Sequence, residues 1–260
     1  HDLSDVARPG ADPGGAIAPF GIAKGRVLVV APNLTIKEGL FESLDVTNRQ
    51  KCFWRKRNIL ADEAMIGGPF ATTLDTGNLS VCEKSHFVIS NIQQLSTNPD
   101  KWLHQFPRDF FDMVIVDEAH NYRNPDSPYR AAALRALLFG QRRDVLLLTA
   151  TPVNNSLWDL YHLMRFFMKQ DAQLAERGIL SIRERFEHAM RTDPASLSPD
   201  VLYPIIDATT VKRTRQFIKK HYQGDTIPGP DGKPIPIIFP QPQALTVRYN
   251  VDEALPGFFD

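Results

Sequence analysis

Four short runs of contiguous apolar residues dominate the first 150 positions: Val27-Leu28-Val29-Val30-Ala31, Phe87-Val88-Ile89, Met113-Val114-Ile115-Val116 and Val145-Leu146-Leu147-Leu148. None alternates apolar with polar residues, as a strand with one wet face would. Each therefore reads as a strand buried on both faces. Between them lie segments with helical spacing. Leu34, Leu40, Phe41 and Leu44 mark one over 34–44, and Ala132, Ala133, Ala136, Leu137 and Leu138 mark another over 129–139. Doubly buried strands that alternate with helices predict a mainly parallel α/β sheet with helices on both faces.

The rest of the chain frames that sheet. Its 260 residues are 43% hydrophobic and 23% charged, enough apolar surface for a core, so disorder over the whole length is excluded. Thirty Lys+Arg balance thirty Asp+Glu, so any attraction to nucleic acid or an anionic membrane must be local. Cys52 and Cys82 are too few for a disulfide framework and suit a reducing compartment. No apolar run reaches the roughly 18–20 residues of a membrane span, so no membrane association is expected. Pro9, Gly10, Pro13, Gly14, Gly15 and Pro19 make 1–25 a loop or tail. From Ser156 the pattern turns helical, with Leu157, Leu160, Tyr161, Leu163, Met164 and Phe167 on one stripe. Further helices are expected over roughly 172–190 and 199–221. Six prolines from Pro228 to Pro242 read as a linker, and Leu245 to Tyr249 as the first strand of another domain. The expected organisation is a flexible segment 1–25, an α/β lobe 26–168, a helical extension 169–225 and a linker with the start of a second lobe 226–260.

Chemistry concentrates at two strand ends. Val114-Ile115-Val116 delivers Asp117-Glu118-Ala119-His120. In open α/β sheets ligands bind outside the C-terminal ends of the strands. An Asp there would hold the Mg²⁺ that bridges nucleotide phosphates, and a neighbouring Glu would orient or deprotonate an attacking water. His120 would link that site to its surroundings. The bland alternative is an acidic strand exit on a surface. Four apolar residues followed by Asp-Glu-Ala-His are more specific than that. The fourth run ends in Thr149-Ala150-Thr151-Pro152, small residues and hydroxyls that suit close packing beside a phosphate site. Alone it would be an ordinary strand and turn; one crossover helix after the acids it gains weight.

These residues resemble the superfamily-two helicase-like ATPases, and within them the Swi/Snf-like DNA translocases. Asp117-Glu118-Ala119-His120 looks like the Walker B, or DEAH, motif, and Thr149-Ala150-Thr151-Pro152 looks like motif III. Val153 to Phe167 is similar to the Swi/Snf extension of motif III, and Asn121-Tyr122-Arg123-Asn124 fits the same branch. Ala31-Pro32-Asn33-Leu34 looks like motif Ia, and Phe87 to Leu95 occupies the place of the next strand and its DNA-facing loop. Val211-Lys212-Arg213-Thr214-Arg215 is similar to the family's following basic segment. Residues 26–116 also resemble helicase subunits of bacterial restriction-type systems. The resemblance implies a RecA-like lobe of P-loop NTPase type and a cytoplasmic bacterial setting. It implies ATP and Mg²⁺ as cofactors, with Asp117 on the metal, Glu118 on the water, and His120, Thr149, Ala150 and Thr151 as couplers. It implies double-stranded DNA held without sequence preference by Pro32, Asn33, Asn91, Gln93, Arg213 and Arg215. It also implies a second RecA-like lobe as partner, and restriction or defence subunits in one branch.

One family feature is missing. No Gly-Lys-Ser/Thr phosphate loop occurs in the 260 residues. The expectation is thus a fragment of a DNA translocase, with its acids in place, its phosphate cradle elsewhere, and no ATP turnover of its own. The competing expectations are a catalytically dead DNA-binding or interaction module, and the motor subunit of a restriction or phage-defence complex. Weaker signals stay open. Arg49, Lys51, Arg55, Lys56 and Arg57 around Phe53 and Trp54 would bind phosphates and stack bases, or form a solvated loop anchored by its aromatics. Lys212, Arg213, Arg215, Lys219, Lys220 and His221 would face DNA, or solvent. Cys52, Cys82, His86 and His104 lack the paired spacing of a zinc site.

Overall fold

The computed structural model describes residues 25–63, 65–75, 79–97, 106–139, 143–212, 226–228 and 233–236. The expected tail at 1–24, the basic residues 213–221 and the expected strand at 245–249 lie outside them. The chain divides into two compact units, His1–Ile205 and Ile206–Asp260.

The first unit is built on five parallel strands in the order β2-β3-β1-β4-β5. They are β1 Val27–Ala31, β2 Ala71–Thr73, β3 Phe87–Asn91, β4 Met113–Val116 and β5 Asp144–Leu147. The four anticipated strands are all present, and β5 begins one residue earlier than its apolar run. The added strand, β2, is three residues long with two threonines, too short for its pattern to be legible.

Register explains the continuous apolar runs. Val29 pairs with Ile89 on one side and Ile115 on the other, and Ile115 pairs with Leu146. Alternate residues therefore line opposite faces, and both faces need cover. Leu28, Val30, Val88, Val114 and Val116 pack on one face, against α3 Leu79–Glu83, α4 Ile92–Thr97, α5 Ala131–Leu138 and α6 Leu157–Met164 through Cys82, Leu95, Leu134, Leu138 and Leu163. Val27, Val29, Phe87 and Ile89 pack on the other, against Leu40 and Leu44 of α1 Leu34–Leu44 and Trp54 of α2 Phe53–Lys56. Chain direction decides which helix goes where. Only the step from β1 to β2 runs toward the β2 edge; the later steps run toward β5. Right-handed crossovers then place α1 on one face and the later helices on the other. This is the RecA-like α/β arrangement.

The cover is uneven. On the α1 face, Met113 and Ile115 are half-buried, while Leu146 and Leu148 are 41% and 44% exposed. β5 is an edge strand with apolar residues facing solvent.

Beyond the sheet, α7 Ile182–Arg191 packs Phe186 against Tyr161 of α6, ring centroids 5.4 Å apart. The helix α8 Tyr203–Thr209 buries Ile205. In the second unit, β6 Thr226–Pro228 and β7 Pro234–Pro236 pair antiparallel, with Ile227 opposite Ile235. Three of the prolines anticipated as linker stand in this pair. A two-stranded ribbon has only edges, so a missing N–H is tolerated there. Among the described residues no helix is long and apolar enough to cross a membrane.

Candidate functional site

The anticipated residues gather along one rim, the C-terminal ends of the strands. From β3 to β5 the rim carries Asn91, then Pro32 and Asn33, then Asp117 to His120, then Thr149 to Thr151. Neighbouring strands lie about 4.8 Å apart, so Asn91 and the acids stand roughly 10 Å from one another across β1.

Backbone bonds lock the acids in place. The Asp117 N–H donates to Val30 O at 3.0 Å, extending the pairing with β1. The Ala119 N–H donates to Leu148 O at 2.8 Å, on the side of β5. Between these two anchors Glu118 adopts the left-handed conformation, φ 48° and ψ 48°. Asp117 Oδ1 accepts the Glu118 N–H at 2.9 Å, which orients the carboxylate. A three-ten turn, Ala119–Tyr122, follows at once.

A polar relay runs from the acids to β5. Glu118 Oε2 lies 3.1 Å from His120 Nδ1, and the same nitrogen lies 3.4 Å from Thr149 Oγ1. Thr149 Oγ1 in turn accepts the Thr151 N–H at 3.2 Å. Glu118 and His120 are half-exposed, so solvent reaches the pair. Ala150 and Thr151 are exposed at the rim with no side-chain bond of their own in the relay.

The residues expected to touch nucleic acid are differently placed. Asn33 is exposed, but its side chain caps α1 by accepting the Ile36 N–H at 2.9 Å. Asn91 is buried and its Oδ1 accepts the Gln94 N–H at 2.9 Å, fixing the start of α4 where a loop was expected. Gln93 is exposed on that helix, and Pro32 is half-buried behind Asn33. Arg213 and Arg215 lie outside the described residues. In the first basic cluster, Lys51 pairs with Glu42 and Arg55 with Asp62, both at 2.6 Å. Trp54 stacks on Phe87 at 6.0 Å and donates its indole N–H to Leu44 O, so it serves as an anchor. His86 is buried; its Nδ1 accepts the Phe70 N–H.

One connection was not anticipated. Arg123 donates from Nη1 to His120 O at 2.8 Å, and its Nε lies 3.8 Å from Asp159 Oδ2. Asp159 closes the N-terminus of α6. Ser156 accepts the Trp158 N–H, while Asp159 Oδ2 accepts the N–H groups of Asn154 and Asn155 at 3.0 and 2.8 Å. Burial opposes ionisation of Asp159. The N–H donors of Asn155, Asn154 and Ser156, with Arg123 beside them, outweigh it and hold the carboxyl below its ordinary pKa. The segment after the acids and the segment after β5 are thus tied twice, by His120–Thr149 and by Arg123–Asp159. The spacing Ser156-x-x-Asp159 was a legible helix start; its partner 36 residues upstream was not.

Parts of the chain are similar to known proteins. The helicase SWR1 of Eremothecium gossypii is 39% identical over 78 residues, 30% of this chain and 5% of that protein. The helicase swr1 of Emericella nidulans is 30% identical over 125 residues, 43% and 7% of the two chains. The probable ATP-dependent DNA helicase CHR12 of Arabidopsis thaliana is 29% identical over 126 residues, 44% and 10%. The chain therefore spans a tenth or less of these curated relatives, which come from eukaryotes. A solved Sulfolobus solfataricus SWI2/SNF2 ATPase core in complex with dsDNA aligns at 17% identity and a TM-score of 0.38, over 79% of this chain and 48% of that one. Residues 17–154, just over half the chain, match the model of the type III restriction enzyme res subunit. The chain belongs to that family.

Proposed function

We propose that this chain is the acid-bearing part of the first motor lobe of an ATP-dependent translocase on double-stranded DNA. The observation that carries the reading is the joint exit of β4 and β5, where Asp117, Glu118, His120 and Thr149 meet. Asp117 supplies a hard oxygen ligand, oriented by the Glu118 N–H, which fits Mg²⁺. Such an ion, bound with ATP, neutralises charge on the phosphates. Glu118 accepts the proton of the attacking water, and its carboxylate is half-exposed at the rim. His120 holds that carboxylate when no water competes for it. Thr149 shares the same ring nitrogen, so a change at the phosphates reaches β5 and its continuation, Ala150 and Thr151. Arg123 and Asp159 carry the change on to α6.

The phosphate cradle and the arginine completing the transition-state site come from outside these 260 residues in this reading. A strand pairing with the free edge of β5, with its helix over Leu146 and Leu148, would place the cradle beside Asp117. In this reading the DNA backbone runs along the rim past Pro32, Asn33, Asn91 and Gln93; Arg213 and Arg215, outside the described residues, are further candidates for phosphate contacts. Contacts to phosphates alone carry no sequence preference. The family match favours one setting in particular, the motor subunit of a restriction or defence assembly.

The test is ATP hydrolysis by the intact protein with and without duplex DNA. The reading expects turnover that duplex stimulates severalfold. Absence of turnover, with DNA binding retained, would favour a binding module that has lost catalysis.

A further inference from the structure

The opposite end of the sheet carries a second recess, remote from the acids. It forms at the N-terminal end of β5, between the end of α5 and the segment that follows α6, and has a volume of about 720 Å³. Recesses of this size accept small ligands. Four cations line it, Arg135, Arg143, Arg165 and Lys169, together with Phe139 and Phe167, and no carboxylate is among the described residues lining it.

The guanidinium groups are fixed, yet they are not satisfied. Arg143 donates to the carbonyls of Leu137 and Arg108, but its Nε is buried with no partner among the described residues. Arg165 Nη2 donates to Lys169 O at 2.7 Å, and its Nη1 is likewise buried with no partner among the described residues. Lys169 Nζ donates to Leu138 O at 2.9 Å. Burial holds the Arg143 guanidinium below its ordinary pKa, with Asp109 and Asp112 pulling the other way from the approach to β4. Backbone carbonyls thus set the positions of Arg143 and Arg165 and leave one N–H donor of each without an acceptor among the described residues. A buried donor without an acceptor is costly, and an anion relieves that cost.

The neutral rim narrows the ligand. Phe139 is 79% exposed at the end of α5, a flat apolar surface open to solvent. Gln170 and Gln173 add amide groups to the lining. Planar guanidinium forks suit phosphate oxygens, and an exposed ring suits a stacked base.

We propose that this recess binds a phosphorylated nucleotide unit, its phosphate held by Arg143 and Arg165 and its base laid on Phe139, either as a free nucleotide or as one residue of a single strand. The site stands apart from Asp117 and Glu118 and does not depend on their role.

The test uses the full chain and four probes: adenosine 5′-monophosphate, inorganic phosphate, a fluorescent ten-residue oligothymidylate, and a duplex of equal length. Calorimetry or anisotropy should show binding of the monophosphate or the single strand, and any duplex binding, which belongs to the rim of the acids, should not respond to Arg165→Gln or Phe139→Ala. Arg165→Gln should weaken that binding tenfold or more. Phe139→Ala, at an exposed position, should weaken the nucleotide or strand severalfold and leave inorganic phosphate unchanged. Arg183→Gln, exposed on α7 and outside the recess lining, should leave all four probes unchanged. Binding by the monophosphate alone would assign a free nucleotide, and binding by the strand alone a single-stranded nucleic acid. The proposal is overturned if Phe139→Ala and Arg165→Gln have no effect, if Arg183→Gln abolishes binding, or if a hexaglutamate peptide displaces the probe at equal concentration.

Discussion

Glu118 holds a backbone conformation that glycine would adopt more readily. A left-handed residue with a side chain costs about 1 kcal/mol, and the anchors at Val30 O and Leu148 O impose it. Replacement by glycine should therefore leave unfolding stability unchanged within about 1 kcal/mol, while hydrolysis by the intact protein is lost. A large loss of stability on denaturant titration would contradict this account of the strain. Gly68 is the converse case, with φ 126° and a position where a Cβ would stand 2.5 Å from His86 Cε1. Gly68→Ala should destabilise the fold by more than 1 kcal/mol, measured the same way. Asp75 gives a pH-dependent contribution. Burial raises its pKa, but the bonds from Lys37 and Thr73 more than reverse that, so the folded value lies below the ordinary carboxylate range. A carboxyl depressed in the folded state stabilises above its unfolded pKa and loses that contribution as pH falls through the folded value. Asp75→Asn should accordingly flatten the stability profile below about pH 4 and remove the charge of the ion pair with Lys37. At this scale the sequence disclosed which residues carry chemistry and little about their posture. Asn33 and Asn91 were expected to reach for DNA; both side chains turn back to cap helices, a local preference of asparagine that competes with any ligand.

The elements follow from hydrophobic period and capping. The helix over 34–44 was legible from its apolar stripe, and the structure adds the Asn33 cap that fixes its start. The pairing between elements was not, since it depends on side chains far apart in the chain. Arg123 and Asp159 are such a pair. Asp159→Ala should destabilise by roughly 1–2 kcal/mol, because backbone N–H groups at the start of α6 lose their acceptor. Arg123→Ala should cost less, because the ion pair is half-exposed and long at 3.8 Å. A double-mutant cycle on unfolding measures the coupling; a loss at Arg123 equal to that at Asp159 would show that the ion pair, and not the cap, dominates. The short strand β2 and the helix α4 escaped detection for a different reason. Three to six residues offer too little period to read.

At the scale of the whole molecule, the α/β class was decided by four apolar runs, because a strand buried on both faces has few other homes. The uneven cover of the sheet was invisible in those runs, since Leu146 has the same character as Val29 but a different neighbour. An apolar edge strand facing water is a template for association. Leu146→Ser should lower self-association of this chain in sedimentation, with its helix content unchanged; equal self-association would show that the β5 edge is not the sticky surface. The two ends of the sheet now carry distinct expectations, acids and a relay at one, a cationic recess at the other. The central claim concerns the first. It is tested most directly by ATP turnover of the intact protein bearing Glu118→Gln, measured beside its ATP binding in the presence of duplex DNA. Loss of a general base predicts turnover reduced by about 10²–10⁴-fold with ATP still bound; turnover equal to that of the unaltered protein would contradict the assignment of Glu118.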